Sequence, residues 1–267
     1  MKRIPLIRTF RIMPFVLVVF TIGSCSLRSN NKVKYTEDEL FTKLESIYVT
    51  YDTIKLTKFL NEWSRIIKPN ELEDINRDIT TKMVYDIYEA FYIPTSPFYK
   101  EMDIRFSEDC KYVVIQNKIE FNILPDSDFK KYESVLQKND TLFNFKPRLK
   151  FEDKKVLYLT DEYNNAIKKF IDKDWDEGLI PPPPLPDGTI LEYKNRENFL
   201  DILMPVQMTV CLTWDVLTHP EVHVIVINNS RTKAKVYFRY GQGGGESVLE
   251  KEDDIWIVKE TKDTWIE

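Results

Sequence analysis

The sequence predicts an α+β body, with N-terminal helices packed on a bent C-terminal antiparallel sheet. Three observations carry that reading. Apolar residues recur at helical spacing between Thr36 and Phe91, and they switch to alternation with period two beyond the prolines at 94 and 97. The alternation is most regular from Val206 onward, where short polar or glycine-rich connections separate successive runs. With 43% hydrophobic residues in 267, the chain can bury one substantial core, which excludes disordered and disulfide-scaffold classes.

The elements follow in order. Thr36-Glu37-Asp38-Glu39 fits a capping box, and Leu40, Leu44, Ile47 and Tyr51 form the apolar stripe behind it. Ile54, Phe59, Trp63 and Ile66 make a second helix restarting near Asp52, which Lys68-Pro69-Asn70 ends. Asn70 with Glu73 repeats the capping pattern, and Leu72, Ile75, Ile79, Met83, Ile87 and Phe91 predict one helix from about Glu71 to Phe91. Val113, Ile115, Ile119, Phe121 and Ile123 share one parity and read as a long strand, with shorter strands at 142–151 and 156–159. Thr160 then offers its hydroxyl as cap to a helix bearing Tyr163, Ile167 and Phe170.

Pro181-Pro182-Pro183-Pro184 with Pro186 cannot donate to a sheet and marks either a boundary between two lobes or a rigid surface crossing. Val206, Met208, Val210, Leu212, Trp214 and Val216 line one face of a strand, opposite Gln207, Thr209, Cys211, Thr213 and Asp215. Strands at 222–227, 233–240 and 248–251, the last continuing over 255–259, complete a meander whose turns are Asn228-Asn229-Ser230 and Gly241-Gln242-Gly243-Gly244-Gly245.

The first 24 residues are different. Lys2, Arg3, Arg8 and Arg11 precede an apolar run from Ile12 to Ile22, which as a helix would rise about 16 Å, roughly half of a ~30 Å hydrocarbon core. Ile22-Gly23-Ser24-Cys25 follows, small residues placed before a cysteine. This arrangement closely resembles the lipobox of bacterial lipoproteins; an ordinary secretory signal would need the cysteine there by coincidence. The resemblance implies cleavage before Cys25 and acylation of Cys25, and hence a membrane partner reached through lipid. Ser26, where many inner-membrane lipoproteins are similar in having Asp, implies the outer membrane; the acid-free stretch from Ser26 to Lys32 implies a periplasm-facing body. Residues 25–35 read as the lipidated tether, with a reach of roughly 17 Å as coil, and 36–267 as the α+β domain.

Removing residues 1–24, which carry four cations and no acid, leaves 243 residues with a net charge of −9. Such a body lacks the positive field that nucleic acid requires. Cys110 and Cys211 could bridge in an oxidising compartment, closing a loop worth up to about 4.7 kcal/mol, or stay as two thiols.

The run from Ala234 to Tyr240, the glycines, Ile255-Trp256-Ile257-Val258 and the terminal Trp265-Ile266-Glu267 resemble the C-terminal sheet of nuclear-transport-factor-2-like domains, and of Gram-negative lipoproteins that end in this fashion. That likeness implies a cone with an internal pocket, serving an enzyme or a ligand binder.

Chemistry-bearing motifs are sparse. His219-Pro220-Glu221-Val222-His223 lacks the glutamate that zinc proteases place after the first histidine. On a strand His219 and His223 would stand roughly 13 Å apart, so no metal and no cofactor is expected. Asp215, His219 and Glu221 could form an acid-base site if their face lined a pocket. Cys211 with His223 has no diagnostic spacing, and Tyr85, Tyr88, Tyr92, Phe98 and Tyr99 read as core or as a stacking surface for sugars or peptides. The expected function is a lipid-anchored envelope binding module for a small molecule, glycan or protein, with no nucleic acid among its ligands. The alternatives are an enzyme, such as a nuclear-transport-factor-2-like hydrolase using Asp215, His219 and Glu221, and a structural subunit of an outer-membrane complex.

Overall fold

A computed structural model describes residues 35–92, 111–129, 139–151, 153–176, 196–208, 214–216, 218, 220–240 and 243–266. Helix α1 (Glu37–Val49) starts from the expected capping box. Thr36 Oγ1 accepts from the Glu39 amide at 3.3 Å, and Glu39 Oε2 accepts from the Thr36 amide at 2.7 Å. The chain turns at Tyr51, whose φ is +47°, and Asp52 caps α2 (Thr53–Ile66) by accepting from the Lys55 amide at 2.9 Å. The single helix expected over 71–91 is two: α3 (Leu72–Ile75) and α4 (Ile79–Phe91). Asp78 leaves helical geometry to accept from the Thr81 amide at 2.6 Å, so the capping side chain wins over continuation. Leu72 and Ile79 are consequently exposed, and the expected stripe is not continuous. Asn70 caps nothing; its amide donates instead to the Asn144 carbonyl at 3.1 Å.

The long strand expected over 113–123 is also two. Strand β1 (Tyr112–Gln116) lies parallel to β4 (Lys155–Leu159), whereas β2 (Lys118–Leu124) joins a six-stranded sheet ordered β10-β9-β8-β7-β2-β3. In that sheet β3 is Asp140–Phe143, β7 Glu221–Asn228, β8 Lys233–Tyr240, β9 Gly243–Glu252 and β10 Ile255–Ile266. Its β7–β10 part is the expected antiparallel meander, and the β2–β7 pair is parallel. A short helix α5 (Asp126–Phe129) follows β2, α6 (Asp161–Asp176) follows β4, and α7 (Arg196–Asp201) precedes the antiparallel pair β5 (Val206–Met208) and β6 (Trp214–Val216). That antiparallel pair stands where one strand was expected over 206–216: Val206 pairs with Val216, and Gln207 with Asp215.

A bulge fixes the orientation of β7. Val222 pairs with Phe238 and Val224 with Tyr237, leaving His223 as the extra residue. The bulge reverses parity, so Val222, Ile225 and Ile227 join the main core, while Val224 and Val226 pack with Leu124 and Phe129 on the other face. At the next hairpin Asp253 and Asp254 both take positive φ, so the strand expected to continue across them folds back as β10.

Gly243, Gly244 and Gly245, expected in a turn, belong to β9 opposite Tyr240, Arg239 and Phe238. At position 245 a Cβ would stand 2.6 Å from Phe238 Cζ and 2.8 Å from the Lys262 carbonyl oxygen, so ring packing demands the glycine. The main core lies between the helices and the sheet. Phe91 of α4 meets Phe238 at 5.0 Å between ring centroids, and Trp63 of α2 stacks on Tyr163 of α6 at 4.1 Å. Each such buried side chain contributes about 1.5–3 kcal/mol. The proline run of residues 181–186 lies outside the described residues.

Candidate functional site

Strands β1 and β4 run parallel with both carboxyl ends on one side, and α6 begins immediately after β4. The start of α6 carries partial positive charge at this corner. The last register pair is Gln116 with Leu159; the next residues on each strand are Asn117 and Thr160. One step further, Lys118 Nζ and Asp161 Oδ1 pair at 3.0 Å on the exposed side. Asn117 and Thr160 are 8% and 7% exposed. Asn117 Oδ1 and Thr160 Oγ1 are both buried and have no hydrogen-bond partner among the described residues.

Each residue is nevertheless well held through its backbone. The Asn117 carbonyl accepts from the Phe145 amide at 2.9 Å, and the Thr160 carbonyl accepts from the Asn164 amide at 2.8 Å, closing the first turn of α6. The Thr160 hydroxyl, expected to cap α6, makes no hydrogen bond among the described residues. Gln116 fastens the corner to β7: Nε2 donates to the Val222 carbonyl at 2.8 Å, and Oε1 accepts from the Val222 amide at 2.7 Å. A parallel bridge from Val114 to Thr218 brings the segment before β7 alongside β1.

The segment 144–148 adds charge beside this corner. The Lys146 amide donates to Tyr85 Oη at 3.2 Å, the Arg148 amide donates to Glu89 Oε1 at 2.8 Å, and Arg148 Nε donates to the Asn70 carbonyl at 3.1 Å. Lys146 is 6% exposed; among the described residues no carboxylate pairs with it, and burial alone draws its pKa down. Burial pushes the Glu89 carboxyl up despite the Arg148 amide, and raises the Tyr85 hydroxyl to about 12.

A second polar cluster joins α1, α6 and α7. Arg196 Nε lies 3.0 Å from Glu45 Oε1 and Nη2 3.3 Å from Oε2, while Lys173 Nζ reaches Oε2 at 2.5 Å. The guanidinium lies over the rings of Tyr48 and Phe170. Burial pulls the Glu45 carboxyl up, but the hydrogen bonds from Arg196 and Lys173 outweigh it and leave it lowered. Glu197 beside it is buried, has no partner for Oε2 among the described residues, and is raised by desolvation. With Arg196 and Glu45 committed to each other, this cluster fastens α7 to the body.

Of the residues singled out in the sequence, Glu221 starts β7 opposite Arg239 and is exposed, as is His223 on its bulge. Asp215 stands in β6 opposite Gln207. His219, Cys25, Cys110 and Cys211 lie outside the described residues, as do Phe98 and Tyr99. Tyr85, Tyr88 and Tyr92 are core. Among the described residues no group of three or more His, Cys, Asp or Glu could hold a metal ion, and no helix is long and apolar enough to cross a membrane.

Comparison with family models, curated proteins and solved structures gives no match. Sequence reasoning passed over Asn117 and Thr160, yet one signal was present. Asn117 falls on the same parity as Val113, Ile115, Ile119 and Phe121, a polar residue where the pattern asks for an apolar one.

Proposed function

We propose that the protein is a lipid-anchored cell-envelope binding module, held to the outer membrane through Cys25 and taking a small ligand at the carboxyl end of β1 and β4. The anchor reading is supported by the order of basic residues, apolar run, small residues and cysteine. Acyl chains at ~0.8 kcal/mol per buried methylene would make attachment stable without a spanning helix. The periplasm-facing orientation rests on Ser26 and the acid-free residues after it.

The observation that carries the binding reading is the pair of buried oxygens on Asn117 and Thr160 that have no hydrogen-bond partner among the described residues. Native side chains in such positions are almost always hydrogen-bonded, and an exception calls for a partner or a purpose. The test uses the detergent-solubilised, lipidated full chain in a thermal-shift screen of metabolites and neutral oligosaccharides. A ligand whose shift vanishes in the Asn117→Leu/Thr160→Val variant supports the reading, and no shift anywhere in the screen overturns it. Palmitate labelling tests the anchor separately: Cys25→Ala loses the label and leaves the membrane fraction, and retained label in that variant refutes lipidation there.

A further inference from the structure

We propose that the ligand taken at this corner is a small monocarboxylate with a hydrogen-bond donor beside its acid group, an α-amino or α-hydroxy acid. The inference rests on the binding reading and goes on to the chemistry of the ligand. Asn117 Oδ1 can only accept a hydrogen bond, and the Thr160 hydroxyl can accept or donate. The ligand must therefore bring an N–H or O–H donor.

Two other features call for negative charge. Helix α6, 16 residues long, points its N-terminus at the corner, and its first free amides attract an acceptor. Lys146 is the second: a buried lysine with no carboxylate partner among the described residues, one residue along the chain from Phe145, whose amide donates to the Asn117 carbonyl. A free amine would satisfy Asn117 and be repelled by the helix and by Lys146. A bare anion would satisfy the helix and leave Asn117 unpaired. One molecule carrying an acid and an adjacent ammonium or hydroxyl meets both demands. Asp161 and Glu162 in the first turn of α6 limit the charge, favouring a monoanionic acid group over a phosphate or dicarboxylate.

The test is calorimetric titration of the solubilised full chain with the proteinogenic L-amino acids, lactate and glycerate, with sodium sulfate as the bare anion. The expected result is saturable binding of at least one acid, weakened about tenfold or more in Asn117→Leu and in Lys146→Met, as loss of one charge-assisted hydrogen bond requires. Both variants should keep the wild-type melting temperature or exceed it, which separates loss of binding from loss of fold. The assignment is overturned if no acid binds, if both variants bind as wild type does, or if sulfate competes as well as the acids. Were neutral oligosaccharides to bind instead, and to fail in Thr160→Val, the ligand class would fall while the binding module stood. Failure of both sets would remove both.

Discussion

Thr160 occupies the position where a helix normally gains from a hydroxyl, yet its hydroxyl is buried and makes no hydrogen bond among the described residues. Replacing it with valine keeps the branched shape, removes an unsatisfied polar atom worth about 1–3 kcal/mol, and adds a buried methyl. Part of this gain is offset by imperfect packing of the new methyl, leaving a net stabilisation of about 1–2 kcal/mol. For a body of 243 residues that corresponds to a rise of roughly 2–8 °C in melting temperature. The ordinary capping rule gives the opposite sign, a loss of about 0.5–2 kcal/mol. Urea denaturation and calorimetry of wild type and Thr160→Val in ligand-free buffer separate the two. A variant less stable than wild type would mean that the hydroxyl is satisfied in solution, and the argument for a ligand at this corner would lose its basis.

Other expectations follow from the same geometry. Glu45→Leu leaves Arg196 buried without its two-pronged partner and should cost about 3–5 kcal/mol in urea denaturation, most of it recovered in Glu45→Leu/Arg196→Met. If the double variant is no better than the single one, the cation was not the cause. The Glu197 carboxyl is raised, so between its unfolded value near 4.3 and its folded value the native state holds more protons and stability falls as pH rises. Glu197→Gln should therefore be more stable than wild type at pH 7 and lose that advantage near pH 4; an advantage independent of pH would contradict the titration. Gly245→Ala forces a Cβ against Phe238 and the Lys262 carbonyl and should cost about 1–3 kcal/mol. Gly243→Ala has the flexible Tyr240 side chain, and no backbone atom, as its three nearest contacts and should cost less, and thermal melts of the two variants check the ranking.

The features that sequence pattern captured are the local ones. Thr36 and Glu39 lie within one helical turn of each other, as do Asp52 and Lys55, so both caps could be read without knowing the fold. What escaped was one local cap, Asp78, whose side chain broke the expected helix, and choice of partner. Alternation continues across Asn117 because β1 and β2 keep one parity, while one strand pairs with β4 and the other with β7. It also continues across residues 206–216, because the antiparallel register that sets Val206 opposite Val216 pairs even-numbered positions with even-numbered ones. The glycines of β9 read as a turn since their true cause, the approach of the Phe238 ring, comes from another strand. The candidate site was obscure for a related reason: Asn117 and Thr160 are 43 positions apart, and only the parallel register of β1 with β4 brings them together.

The most direct measurement is a high-resolution crystal structure of the full chain isolated from producing cells, read at Asn117 and Thr160. The expected result is density for a bound organic molecule within hydrogen-bond distance of Asn117 Oδ1 and Thr160 Oγ1, with its acid group towards the start of α6. A lone ordered water satisfying both oxygens, or an asparagine amide turned onto a protein donor, would contradict a ligand site at the carboxyl end of β1 and β4.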